Sequence, residues 1–172
     1  RPDLASLTLG SFNFRHEASV NDPDTILALA RKMRERGIKP ELEIFDTGMV
    51  NTLRFLQRKG ELTGRLYANV ILGGANTAQA SLPELCHLVS LLPSAVLWAA
   101  GGVGGAQLPM NLAALLLGGH VRLGIEDAIW FDRGRCEPAR NVELILRVRE
   151  MAARLELRPA TCAEARNLLG LT

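Results

Sequence analysis

The chain has 172 residues, of which 48% are hydrophobic and 22% charged, with 20 Lys and Arg against 18 Asp and Glu. That is enough apolar side chain for one globular domain with a sizeable core, and it excludes global disorder, which needs low hydrophobicity and high net charge. A formal charge of +2 offers no basic stripe for nucleic acid, and every long apolar run is broken by charge, Gly or Pro before it could span a membrane.

Leu4 to Leu9 is a short apolar run closed by Gly10, which reads as a strand. Asn21-Asp22-Pro23 starts a helix carrying Ile26, Leu27, Ala30 and Met33, and Gly37 stops it. Glu41 to Phe45 is a second strand, and Thr47 opens a helix through Leu53 and Leu56 to Gly60. Leu66 to Leu72 is a third strand, followed by a helix from Leu82 to Leu92 that halts at Pro93. Ala95 to Ala100 is a fourth strand, and Leu108 to Leu117 a helix ending in Gly118-Gly119. His120 to Gly124 is a fifth strand, and Asn141 to Leu155 a long helix with Ile145, Val148, Ala152 and Leu155 on one face. Thr161 and Glu164 form a capping box before a short last helix.

Strict alternation of strand and helix implies a parallel sheet with right-handed crossovers in a single domain over residues 1–172. Two architectures fit: an open doubly wound sheet, or part of a (β/α)8 barrel, of which the chain is long enough for five units. Polar residues inside the strands favour the barrel. Glu41 and Glu43 share one face of the second strand, and His120 and Arg122 one face of the fifth, with Gly124 and Glu126 continuing it at period two. A sheet buried on both faces has little room for such charges, whereas the upper layer of a barrel opens into its site. Glu43 and Arg122 are therefore expected to approach one another.

Chemistry is sought at the carboxyl ends of the strands. Arg122-Leu-Gly-Ile-Glu126-Asp127 is the densest segment there, with an arginine that keeps a nearby carboxylate ionised as a ligand or base. The same spacing also suits an ion-pair cluster that only closes the sheet. Gly101-Gly-Val-Gly-Gly105 could cradle a phosphate with bare backbone N–H groups, but it lacks the dinucleotide fingerprint and a Walker lysine, so a tight turn is the simpler reading. His16, His87 and His120 have no zinc-like pair spacing, and Lys32, Arg34 and Arg36 read as a solvated helix face. Cys86, Cys136 and Cys162 are far apart and lack metal or redox spacing, which points to a reducing, cytoplasmic setting. The chain opens on Arg1-Pro2-Asp3 with no initiator Met, so an upstream part is expected.

Several motifs together resemble the β-keto acid cleavage enzymes. They are Pro2-Asp-Leu-Ala-Ser-Leu7 with Gly10-Ser-Phe-Asn-Phe14, Pro40-Glu-Leu-Glu-Ile-Phe-Asp-Thr-Gly-Met49, Ala106-Gln-Leu-Pro109, and above all Gly118-Gly-His-Val-Arg-Leu-Gly-Ile-Glu-Asp127. The resemblance implies a (β/α)8 barrel, of which this chain supplies roughly strands four to eight, in a homo-oligomer. It implies one zinc ion, and conversion of a β-keto acid plus acetyl-CoA into acetoacetate and a new acyl-CoA. On this basis Glu126 matches the carboxylate zinc ligand, Asp127 and Arg122 match a catalytic Asp–Arg pair, and Ser6 matches a hydroxyl position in the substrate site. The family's two zinc histidines, a His-x-His, are absent from this chain. Gly105 stands where the family usually has an Arg near substrate or CoA, and Ala128 where an Asn commonly follows the Glu-Asp pair. The reading from another class is a non-catalytic partial barrel that only binds a partner or ligand.

Overall fold

The computed structural model describes residues 1–14 and 16–171. Its main sheet has five parallel strands, β1 (Leu4–Thr8), β4 (Lys39–Ile44), β5 (Leu66–Leu72), β6 (Val96–Gly102) and β7 (His120–Val121), in that spatial order. A small antiparallel hairpin, β2 (Phe12–Asn13) and β3 (Ala18–Ser19), follows β1. The crossovers are α1 (Pro23–Glu35), α2 (Thr47–Arg58), α3 (Leu82–Leu91) and α4 (Gln107–Leu116), and the chain closes with α5 (Asn141–Arg154) and α6 (Cys162–Leu169).

Each strand adds beside the one before it, with no reversal of order. A doubly wound sheet needs such a reversal at its switch point. When right-handed crossovers all step the same way, their helices fall on one face of the sheet. The sheet is therefore singly wound, with one face under α1 to α4 and the other, open face free of these four crossover helices.

The helix face holds the core. Leu42, Ile44, Val70 and Leu72 alternate along β4 and β5 with no more than trace exposure, and meet Val50, Leu53, Leu85, Leu88 and Ala114 from the helices. The helices start where the sequence provides caps. Asp22 accepts from the Asp24 and Thr25 N–H groups, Asp46 from Met49 and Ser81 from Glu84. The capping box of Thr161 and Glu164 forms as read from the sequence, and Arg158 helps hold the Glu164 carboxyl down to about 2. Helix α6 is strapped to the amino ends of the strands by Arg166 on Asp3 at 2.9 Å and by Arg65, which donates to the Asn167 carbonyl at 2.6 Å.

The last strand differs from expectation. It pairs only through His120 and Val121 instead of running to Gly124. The Asp127 and Ala128 N–H groups fold back onto the Gly124 carbonyl at 3.3 and 3.1 Å, so a turn replaces the ladder. The period-two relation that would align Glu126 with Arg122 therefore ends before Glu126. The β2–β3 hairpin is also absent from the sequence reading, because two-residue strands carry no usable alternation.

Entry into β7 depends on a close approach. A Cβ on Gly119 would lie 2.3 Å from the Trp98 ring, which the backbone crosses directly. Gly119→Ala is expected to destabilise the full-length protein by about 1–3 kcal/mol, the usual range for overpacking. Urea unfolding followed by tryptophan fluorescence measures it.

Candidate functional site

The open face carries a ladder of polar side chains. Strand register aligns Ser6, Glu41, Tyr67 and Leu97 on one level, and Thr8, Glu43, Asn69, Ala99 and His120 on the next. One step further toward the carboxyl ends, Arg122 lies against Gly101. A Cβ on Gly101 would come within 2.7 Å of the Arg122 carbonyl oxygen and 3.2 Å of its Cβ, so only glycine lets the arginine lie here.

The Arg122 guanidinium is the centre of the site. Its Nε donates to Asp127 Oδ2 at 3.0 Å and its Nη2 to Glu126 Oε2 at 3.2 Å. Its Nη1 stands 3.7 Å from Glu43 and 3.8 Å from Glu41. The approach of Glu43 and Arg122 expected from strand periodicity is thus direct. Thr8 donates to the other Glu43 oxygen at 2.6 Å, Asn69 donates to Glu41, and Tyr67 donates to Asn69 at 3.1 Å.

Four carboxylates around one guanidinium leave the cluster formally negative. Burial raises the Glu41 carboxyl above its ordinary value, and Glu43 and Glu126 add to this against the pull of Arg122 and Asn69. Burial also pushes the Tyr67 phenol up to about 12, with the Glu41 charge adding, so it stays protonated. For Arg122 burial works the other way, but the Asp127 hydrogen bond and the surrounding carboxylates outweigh it and raise its pKa.

The two adjacent acids part ways. Asp127 is 13% exposed and fixed on Arg122, whereas Glu126 is 85% exposed. The turn that separates them is braced from α4. Buried Gln107 donates to the Gly124 carbonyl at 2.9 Å, and buried Asn111 donates to the carbonyls of Ala100 at 2.9 Å and Arg122 at 2.7 Å. These two amides tie β6, β7 and the turn to one helix.

Arg122, Asp127 and Glu126 therefore come together in space. Ser6 is exposed and stands one level below Thr8, level with Glu41 and Tyr67. Gly105 lies in the 3₁₀ turn Gly104–Ala106, whose Gly104 N–H donates to the Asp127 carbonyl. Space above it is open, with nothing within 4 Å of a Cβ built there. The sequence assigned no role to Thr8, Tyr67, Asn69, Gln107 or Asn111, although Gln107 lies in the Ala106–Pro109 motif. For Tyr67 and Asn69 a signal was present, since they stand two apart in an otherwise apolar strand. Among the described residues no group of three or more His, Cys, Asp or Glu side chains is placed to hold a metal ion. A catalytic zinc takes about three protein ligands, so the residues of this chain do not make such a centre by themselves.

The beta-keto acid cleavage enzyme family model matches residues 1–171. The chain belongs to that family. A 3-keto-5-aminohexanoate cleavage enzyme of Fusobacterium nucleatum is 36% identical over 171 residues, which are 99% of this chain and 62% of the relative. A 3-oxoadipate:acetyl-CoA acetyltransferase of Cupriavidus necator is 36% identical over 174 residues, covering 99% of this chain and 61% of that one. The chain thus spans under two thirds of the length of these relatives. The solved ternary complex of ObcA with a C4-CoA adduct and oxalate superposes with a TM-score of 0.86 at 20% identity, over 99% of this chain and 46% of that one. At that identity the likeness shows the fold alone.

The raised Glu41 carboxyl has a consequence for stability. A raised acid binds its proton more tightly folded than unfolded, so folding is favoured at low pH and loses that advantage as pH rises through the raised pKa. Glu41→Gln removes the charge and keeps an oxygen for Asn69. In chelator-treated full-length protein it is expected to raise Tm at pH 7 and to leave it unchanged near pH 3. Thermal melts across that range give the sign.

Proposed function

We propose that this chain is the strand-four-to-eight portion of a (β/α)8 barrel in an acyltransferase that cleaves a β-keto acid. The sequential strand order, the helices on one face and the polar open face support this architecture. The reaction converts a β-keto acid and acetyl-CoA into acetoacetate and a new acyl-CoA. The half-buried Arg122–Asp127 pair is the observation that carries the catalytic reading over a purely binding one.

Asp127 is the base. It takes a proton from the methylene between the ketone and the carboxylate of the keto acid. The carbanion attacks the acetyl carbon of acetyl-CoA, and the thiolate leaves. The thiolate then adds to the former ketone carbon, and the bond from that carbon to the methylene carbon breaks. The methylene carbon, now in acetoacetate, takes the proton back from Asp127. Arg122 fixes the carboxylate through Nε, donates to Glu126 through Nη2, and turns Nη1 toward the Glu43 and Glu41 charges. Asp127 therefore cannot swing without breaking a network.

Glu126 is proposed as one zinc ligand, with the remaining ligands supplied by residues this chain does not contain. Its exposure at the strand ends supports that role. Ser6 and Gly105 are proposed to border the substrate. The open space at Gly105 supports a keto acid with a bulkier or less polar tail than the aminohexanoate substrate. A homo-oligomer in the cytoplasm completes the proposal. The reducing setting is supported by three unpaired cysteines, Cys86, Cys136 and Cys162. Among the described residues no helix is long and apolar enough to cross a membrane.

The test is acetoacetate release from a panel of β-keto acids with acetyl-CoA, using full-length protein. Asp127→Asn is expected to lower kcat by about 10²–10⁴, the range for a positioned general base. A variant as fast as the parent would remove Asp127 from the chemistry. A parent protein that turns over no β-keto acid would refute the acyltransferase reading.

A further inference from the structure

The peptide unit between Gly124 and Ile125 is held at both of its polar groups by side chains from two different helices. Gln107 Nε2 donates to the Gly124 carbonyl at 2.9 Å, and the Ile125 N–H donates to Asn141 Oδ1 at 2.9 Å. Gln107 is the first residue of α4 and Asn141 the first of α5. One amide supplies the donor and the other the acceptor, so together they fix the plane of a single peptide.

That plane governs where Asp127 stands. The Gly124 carbonyl also accepts from the Asp127 N–H at 3.3 Å and the Ala128 N–H at 3.1 Å, so the turn into the proposed base closes on it. The Gly104 N–H donates to the Asp127 carbonyl at 2.6 Å, which holds the backbone of the base on the other side of its Cα. Gly124 has no Cβ, and glycine leaves more rotations open to the adjoining peptide than any other residue. The orientation therefore has to be imposed from outside the turn. Asn141 sits close enough to do so, its Oδ1 lying 3.3 Å from where a Cβ on Gly124 would stand.

Two observations set these contacts apart from ordinary satisfaction of polar groups. Ile125 is exposed, where water ordinarily serves the backbone. Helices α4 and α5 also go without a side-chain cap, unlike α1, α2, α3 and α6. Asparagine is among the best helix caps, yet Asn141 stands one position inside α5 and spends its oxygen on Ile125. Gln107 is 2% exposed, and its amide is buried where only a hydrogen bond makes that tolerable.

We infer that Gln107 and Asn141 are positioning residues that lock the Gly124–Ile125 peptide and thereby hold Asp127 where it reaches the keto acid. The inference rests on the acyltransferase reading above and adds two residues that place the base. They act through the backbone, whereas Arg122 acts on the Asp127 carboxylate itself.

The experiment uses full-length protein carrying Gln107→Met, Asn141→Ala or Asn141→Asp. Methionine keeps the length of glutamine and removes the donor, and aspartate keeps an acceptor for the Ile125 N–H. For Gln107→Met and Asn141→Ala, kcat per folded protein is expected to fall about 10–100-fold, the scale of a misplacement near 1 Å, with KM for both substrates within about twofold of the parent. Asn141→Asp is expected to recover most of that loss. Unchanged kcat in the first two variants, or an Asn141→Asp as slow as Asn141→Ala, would overturn the inference. Amide hydrogen exchange across residues 124–128 supplies a readout that needs no turnover. Faster exchange in Gln107→Met and Asn141→Ala than in the parent and Asn141→Asp supports the lock even where the parent consumes no keto acid, in which case the acyltransferase reading is what fails. Equal exchange in the parent and all three variants overturns the lock.

Discussion

One guanidinium organises the open face of this sheet. Arg122 sets its backbone and first side-chain carbons against Gly101 and spreads its nitrogens among Asp127, Glu126, Glu43 and Glu41. The constraint is electrostatic. Four acids at the ends of neighbouring strands repel one another, and a lone pair of them would be costly at this depth. A planar cation with donors on several edges is the side chain that can serve them together, which a lysine point charge does not match. The polar neighbours follow from this. Thr8 donates to the Glu43 oxygen that Arg122 does not face, Asn69 donates to the Glu41 oxygen that it does, and Tyr67 satisfies the Asn69 carbonyl in turn.

The topology makes such a cluster tolerable. With strands added in order and the helices on one side, alternate strand residues face either a packed hydrocarbon core or the open face. Leu42 and Ile44 point one way while Glu41 and Glu43 point the other. Helix α4 then ties the apolar layer to the site. Its buried Asn111 and Gln107 reach through to the carbonyls of Ala100, Arg122 and Gly124, at the place where β7 stops short and the chain turns. The position of the turn from Gly124 to Asp127 is thus set by core packing as well as by charge.

Much of this could be read from the residues. The alternation of elements, the helix start at Asp22 and the Thr161–Glu164 capping box were legible because helix stops and strand runs are local signals, and Glu41, Glu43 and Arg122 were conspicuous as charges inside strand patterns. Parallel pairing was legible too, but the open doubly wound alternative fell only to the observed strand order, which depends on contacts between distant segments. The same limit hid Asn111 and Gln107, whose amides look like ordinary helix residues until the facing carbonyls are known. It also hid the early end of β7, where a turn around Gly124 outcompetes a ladder that has a partner on one side only. The family motifs located Arg122, Glu126 and Asp127 together, yet their opposite exposure became visible only in three dimensions.

The proposed chemistry requires that Arg122 and Asp127 act as a unit. A double-mutant cycle on kcat/KM for keto acid cleavage by the full-length protein measures this directly. If Arg122 works by positioning Asp127, then Arg122→Met and Asp127→Asn each lower kcat/KM steeply, and the double variant is no worse than the poorer single one. Losses that multiply independently would contradict the account, because the two residues would then contribute by separate routes.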